Sequence, residues 1–185
     1  MIHKKFQKDS EKLYPVGVKE FRNLANLLTS FIRKVAGGMA GLAVGYVYLA
    51  EMELVNQTNK RVKLSSGLVS IIRQWLPDLP WDEVVIIPNS KSIPAGGFIA
   101  VTHFNSIFWK GDFSESNAFN LKVLLHELYH VDQYRRDGKL FYYQYGASVT
   151  DAISYKNSTY ELEATKFAEL HFADLIQQLA GISRV

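Results

Sequence analysis

The stretch that decides the fold is Leu124-Leu125-His126-Glu127-Leu128-Tyr129-His130-Val131-Asp132-Gln133. It sits inside a longer segment, 117–136, with helical periodicity. Leu121, Leu124, Leu125, Leu128 and Val131 fall on one side at 100° per residue. His126 and His130 lie one turn apart on the opposite side, off the apolar face, where two imidazoles converge on one ion. Glu127 is rotated about 100° from His126, a poor angle for a third ligand but a good one for reaching a water on that ion. The spacing H-E-x-x-H on a helix therefore predicts two zinc ligands, His126 and His130, and a general base, Glu127. Zinc with three protein ligands leaves a position for water and lowers that water's pKa.

The third ligand is expected from a later helix. Its candidate segment is Tyr160-Glu161-Leu162-Glu163-Ala164-Thr165, beyond a cap at Asn157 or Ser158. Glu161 shares a helical face with Thr165, Ala168, Phe172, Leu175 and Leu179, whereas Glu163 points to a more mixed face. A carboxylate at the end of an inward apolar stripe needs a cationic partner, which favours Glu161. The bland reading of Glu161 is an acidic first-turn residue complementing the helix dipole. Tyr142, Tyr143, Tyr145, Tyr155 and Tyr160 all lie between the ligand segments, and any of these phenols is a candidate oxyanion donor. His171, His103 and His3 are expected to be packing, turn and leader residues.

Working outward, Leu64–Leu76 reads as a short helix stopped by Pro77 and Pro80. Val84–Ile87 reads as a strand. Phe98–Thr102 and Ser106–Trp109 read as a hairpin around His103-Phe104-Asn105, after a turn at Pro94–Gly97. At the N-terminal side, Val18–Val35 carries a narrow apolar stripe of helical period. Val35–Ala50 is apolar, with Gly37, Gly41 and Gly45 at every fourth residue. Such spacing suits a close helix–helix approach, in a buried pair or in a membrane. The run is 16 residues, shorter than the ~20 that span a bilayer.

The whole chain has 185 residues and no cysteine, so disulfides and thiolate metal sites are excluded. Hydrophobic residues make up 48%, which excludes global disorder. Residues 1–34 hold eight Lys/Arg against three acids, and the other 151 hold thirteen against fifteen. The basic character is thus N-terminal: a solvated leader, or one attracted to an anionic surface. No standard signal peptide is legible, because the apolar run starts near residue 35. The expected compartment is cytoplasmic, or reached by an export route that needs no signal peptide.

The helix motif together with Glu161-Leu162-Glu163-Ala164 resembles the bacterial domains grouped as DUF4157, with their H-E-x-x-H-V-x-Q helix and downstream E-x-E-A-D. The preceding Trp81–Ile87 segment, glycine turn and hairpin also fit, so the likeness covers roughly residues 64–170. It implies a minimal gluzincin-type zincin: an α+β fold with a small antiparallel sheet or hairpin, a metal helix and a C-terminal helix. It implies His126, His130 and Glu161 as Zn2+ ligands and Glu127 as base. One departure is Thr165, where the family has Asp to orient a ligand imidazole. In zincins a strand edge above the metal helix binds extended peptide, here Phe98–Thr102 or Ser106–Trp109.

The expected organisation is a helical extension over 1–60 and a zincin-like domain over 61–185. The expected function is zinc-dependent hydrolysis of peptide bonds in a protein or peptide substrate, with no nucleic-acid partner. Thr165, Tyr155 and Tyr160 are carried as second-shell or oxyanion candidates. Two alternatives stand beside it. One is a weak or inactive zinc-binding interaction module. The other is a toxin-like effector that engages a membrane through residues 18–50.

Overall fold

The computed structural model describes residues 15–91, 93, 97–148 and 157–182. The expected basic leader over residues 1–14 with His3, the Pro94–Gly96 part of the turn, and Tyr155 lie outside these. The chain is mixed α/β, with five α-helices and one three-stranded mixed sheet among the described residues. In order these are α1 (Pro15–Val55), α2 (Ser66–Ile72), β1 (Val85–Ile87), β2 (Ala100–His103), β3 (Ser106–Trp109), α3 (Ala118–Asp137), α4 (Phe141–Ser148) and α5 (Thr159–Ile182). A 3-10 turn, Gly138–Leu140, links α3 to α4.

The sheet order is β1-β3-β2, with β2 antiparallel and β1 parallel to β3. This corrects the expectation of an antiparallel sheet. The hairpin forms as its alternation suggests, with Val101 opposite Phe108 and Thr102 opposite Ile107. β1 then takes the free side of β3 rather than of β2. The reason lies in side-chain chemistry: Ile107, Phe108 and Trp109 are all buried, so β3 has apolar groups for both faces and belongs in the centre. The outer side of β1 is closed by a bridge from Val62 to Ile86. Among the described residues nothing pairs with the outer side of β2.

α3 crosses one face of this sheet. Asn117 caps it by accepting from the Asn120 amide at 3.1 Å. Gly138 ends it at φ +60°, a conformation that favours glycine. Its leucine face enters a core with Ile86, Ile107 and Trp109 of the sheet and Ala168 and Leu175 of α5. Small residues let α5 approach: Ala164 and Ala168 are both buried along the contact. The other face of the sheet, Ile87 and Phe108, is covered by Met52 near the end of α1. Asn56 locks that junction. Its amide donates to the Met52 and Lys91 carbonyls, and its side-chain oxygen accepts from the Lys91 amide at 2.8 Å.

Two helical stretches anticipated over Val18–Ala50 are one continuous α1 of 41 residues, ~60 Å long. α4, unanticipated, packs on it in the antiparallel sense, with Gly37 near Gly146 and Gly45 near Tyr142. The glycines make this crossing possible. A Cβ added at Gly146 would lie 2.5 Å from the Gly37 carbonyl oxygen and 2.6 Å from the Gly41 Cα. Both neighbours are backbone and cannot turn aside. The apolar Gly-rich run is therefore a helix–helix seam, and most of the other described side chains of α1 are exposed. Gly146→Ala or Gly41→Ala is expected to cost about 1–3 kcal/mol in denaturant unfolding by forcing the helices apart. Gly67→Ala, where an added Cβ meets nothing within 4 Å, is expected to be neutral or stabilising.

Candidate metal centre

Three side chains converge between α3 and the first turn of α5. His126 Nε2 and His130 Nε2 are 3.0 Å apart. The Glu161 carboxylate straddles both, with Oε2 3.4 Å from His126 Nε2 and Oε1 3.4 Å from His130 Nε2. Ligand atoms on a tetrahedral zinc ion stand ~3.3 Å from one another. The donor set, two imidazoles and a carboxylate with no thiol, is that of a site keeping one position open. Each imidazole turns its Nδ1 outward and its Nε2 inward. His130 Nδ1 donates to the Gln133 side-chain oxygen at 2.7 Å, and His126 Nδ1 faces the Thr165 hydroxyl at 3.5 Å.

Electrostatics follow from this packing. Burial alone would lower His130, but hydrogen bonding to Glu161, with the Glu127 and Glu161 charges and Gln133, raises its pKa above the ordinary value. Burial alone would raise Glu161. Its contacts with His126, His130 and Tyr145 instead hold it well below the usual carboxylate range. The cluster is thus a buried anion against two imidazoles, a balance that a divalent cation would satisfy.

The structure brings His126, His130 and Glu161 together and turns Glu163 outward. Glu163 accepts from the Gln133 amide nitrogen at 3.1 Å. That same nitrogen donates to the Tyr160 carbonyl at 3.0 Å. Gln133 is 1% exposed, so one buried side chain fixes the His130 tautomer and holds the start of α5. Thr165 is exposed, and its 3.5 Å contact is at the long limit of a hydrogen bond. The Tyr160 phenol is corrected as an oxyanion candidate: it points away, donating to Asp137 at 2.6 Å and reaching Gln144 at 2.8 Å. The reason is helical geometry, since Tyr160 lies 100° from Glu161 on α5. Tyr145, on α4, holds the inward place and donates to Glu161 Oε1 at 2.6 Å.

One participant, Thr102, carries no site role in the sequence, and another, His103, is expected there as a turn residue. Thr102 on β2 donates its hydroxyl to Glu127 Oε2 at 2.7 Å and lies 3.0 Å from the Glu127 carbonyl oxygen. Its only sequence signal is a polar residue in an apolar strand. His103 ends β2 buried, bonded to the Gly45 carbonyl and to the Tyr142 hydroxyl. It joins the sheet to α1 and α4 rather than forming part of an open turn.

These groups line one cavity of about 860 Å³. Its walls are β2 with Gly97–Ile99, the histidine face of α3, Tyr142 and Tyr145 of α4, and Gly37, Gly41 and Gly45 of α1. Comparisons with protein-family models, curated proteins and solved structures find no match to this chain.

Gln133→Ala is expected to weaken zinc binding about 10- to 100-fold in competition with a chromophoric chelator. Thr165→Asp is expected to tighten it, because a carboxylate reaches His126 Nδ1 where the hydroxyl barely does. His103 supplies a pH test. Burial lowers its pKa from 6.5 to about 4 against the opposing Gly45 carbonyl. The unfolded chain therefore takes up this proton first as pH falls through 6.5, and stability is lost until the folded pKa near 4 is passed. The loss is on the order of 3 kcal/mol at most. Between those limits the unfolding free energy of His103→Asn is expected to vary less with pH than that of the wild type.

Proposed function

We propose that this chain is a zinc-dependent peptidase of the minimal zincin type. The observation that carries the reading is the convergence of His126, His130 and Glu161 beside Glu127, in one cavity walled by an unpaired strand edge. His126, His130 and Glu161 would hold the ion. When bound, zinc supplies the Lewis acid that polarises a scissile carbonyl and makes water acidic enough to lose a proton near neutral pH.

The chain's own residues do the rest. Thr102 occupies Glu127 Oε2, which fixes the carboxylate plane and leaves Oε1 as the proton acceptor. Glu127 takes the proton of the attacking water and returns it to the amine nitrogen as the amide C–N bond breaks. The hydroxyl of Tyr145 donates to Glu161 Oε1, and it would have to leave that carboxylate to donate to a developing oxyanion. The outer side of β2 offers backbone N–H and C=O groups to an extended peptide, which would add as a strand over the metal helix. The resemblance to the DUF4157 motif supports the same assignment of roles.

The weak contact at Thr165 favours a second reading, a zinc-binding module with little turnover. Glu127→Gln separates the two. A peptidase is expected to keep one zinc per chain, measured by elemental analysis, while hydrolysis of a fluorogenic peptide mixture falls by at least ~100-fold. Stoichiometric zinc with no cleavage by the wild type would sink the peptidase reading.

A further inference from the structure

The longest element of the chain does not contribute a ligand. Of the 18-residue apolar stretch that marks Asn26–Val55 as long enough to cross a membrane, 13% is buried. Between Lys34 and Glu51 there are sixteen residues without a charge, ~24 Å of helix. The glycine row of this stretch faces α4. Leu28, Phe31, Ile32, Val35 and Met39 lie on another side, all exposed, with Phe31 at 64%. Val47, 70% exposed, extends that side. A contiguous apolar stripe of this length is rare on a surface left to water. Asn26, Ser30 and Arg33 lie on the opposite side of the helix, in line with the glycine row, the division that a helix lying in a membrane interface requires.

We infer that this face of α1 docks on an anionic lipid bilayer and sets the metal centre against the membrane surface. The charge pattern selects the lipid. Arg33 and Lys34 stand at the head of the charge-free run, and residues 1–34 carry eight Lys/Arg against three acids. Basic groups at the end of an apolar stripe, on long side chains that reach round the helix, complement phosphate headgroups beside acyl chains. The seam with α4 positions the site: Gly37, Ala40, Gly41 and Gly45 form one wall of the cavity. With the opposite side of the helix in the interface, the cavity lies one helix diameter, ~10 Å, from the lipid. Resting on the peptidase reading, the substrate class is then a membrane-associated peptide.

The test uses the full chain with zinc and phosphatidylcholine vesicles, with and without phosphatidylglycerol. Wild type is expected to float with the phosphatidylglycerol vesicles and to be released by salt. The double variant Ile32→Asp, Val47→Asp alters exposed side chains only, so it is expected to keep its zinc. Its partition to the vesicles is expected to fall at least ~10-fold. Absence of flotation, or equal flotation of the variant, overturns docking. A dimer that forms without lipid and is lost in the variant, with no vesicle binding, also overturns it and assigns the face to a second copy. A peptide tethered to the vesicles by an acyl chain is expected to be cut at least ~10-fold faster than the free peptide by wild type, with no such advantage for the variant. Equal rates overturn the substrate class and leave the peptidase reading standing. Flotation without cleavage of either peptide supports docking and counts against the peptidase.

Discussion

The amide of Gln133 is the connection on which the candidate site depends. Its oxygen accepts from His130 Nδ1, and its nitrogen donates to the Tyr160 carbonyl and to Glu163. Two imidazoles one turn apart on α3 are two of the three groups of the candidate site. The missing carboxylate belongs to a helix that starts 22 residues after α3 ends. Gln133 fixes the first histidine's tautomer and the second helix's first turn with one side chain. It is buried, so no water replaces either bond when it is lost.

Around that connection the fold assembles by apolar burial on both sides of a short sheet. β3 supplies side chains to both faces. One face meets the leucines of α3, and the other meets Met52 of α1. β2 is left at an edge with Thr102 directed at Glu127, so the central place of β3 also decides what the Glu127 carboxylate touches. The glycine seam between α1 and α4 has the same double effect. It lets α4 bring Tyr145 to Glu161 and Tyr142 to His103, and it makes α1 a wall of the cavity.

Much of this was legible in residue order because the signals are local. Five apolar residues of α3 at helical spacing mark its core face. H-E-x-x-H within it marks the opposite face, and the segment is bounded at 117–136, one residue from the observed end at Asp137. The helix of Glu161 and the hairpin on either side of Phe104 follow from the same periodicities. What was not legible depends on partners distant in sequence. Eight residues with four aromatics and one glycine, Phe141–Ser148, carry no clear period, and they are helical because α1 has a groove for them. In sequence Tyr160, next to Glu161, is favoured over Tyr145, and only the crossing of α4 and α5 shows that Tyr145 is the phenol that faces that carboxylate.

The sequence by itself determined which chemistry the chain can attempt: an imidazole pair, a neighbouring base and no thiol. Those choices lie within one helical turn, where geometry follows from a fixed 100° per residue. Tertiary structure alone decided which hydroxyl holds Glu127 and that β1 sits parallel beside β3. It also decided that the glycine row faces α4 while the apolar stripe of α1 faces outward. These are contacts between segments tens of residues apart. They are set by which surfaces can be buried together, and no local period encodes that.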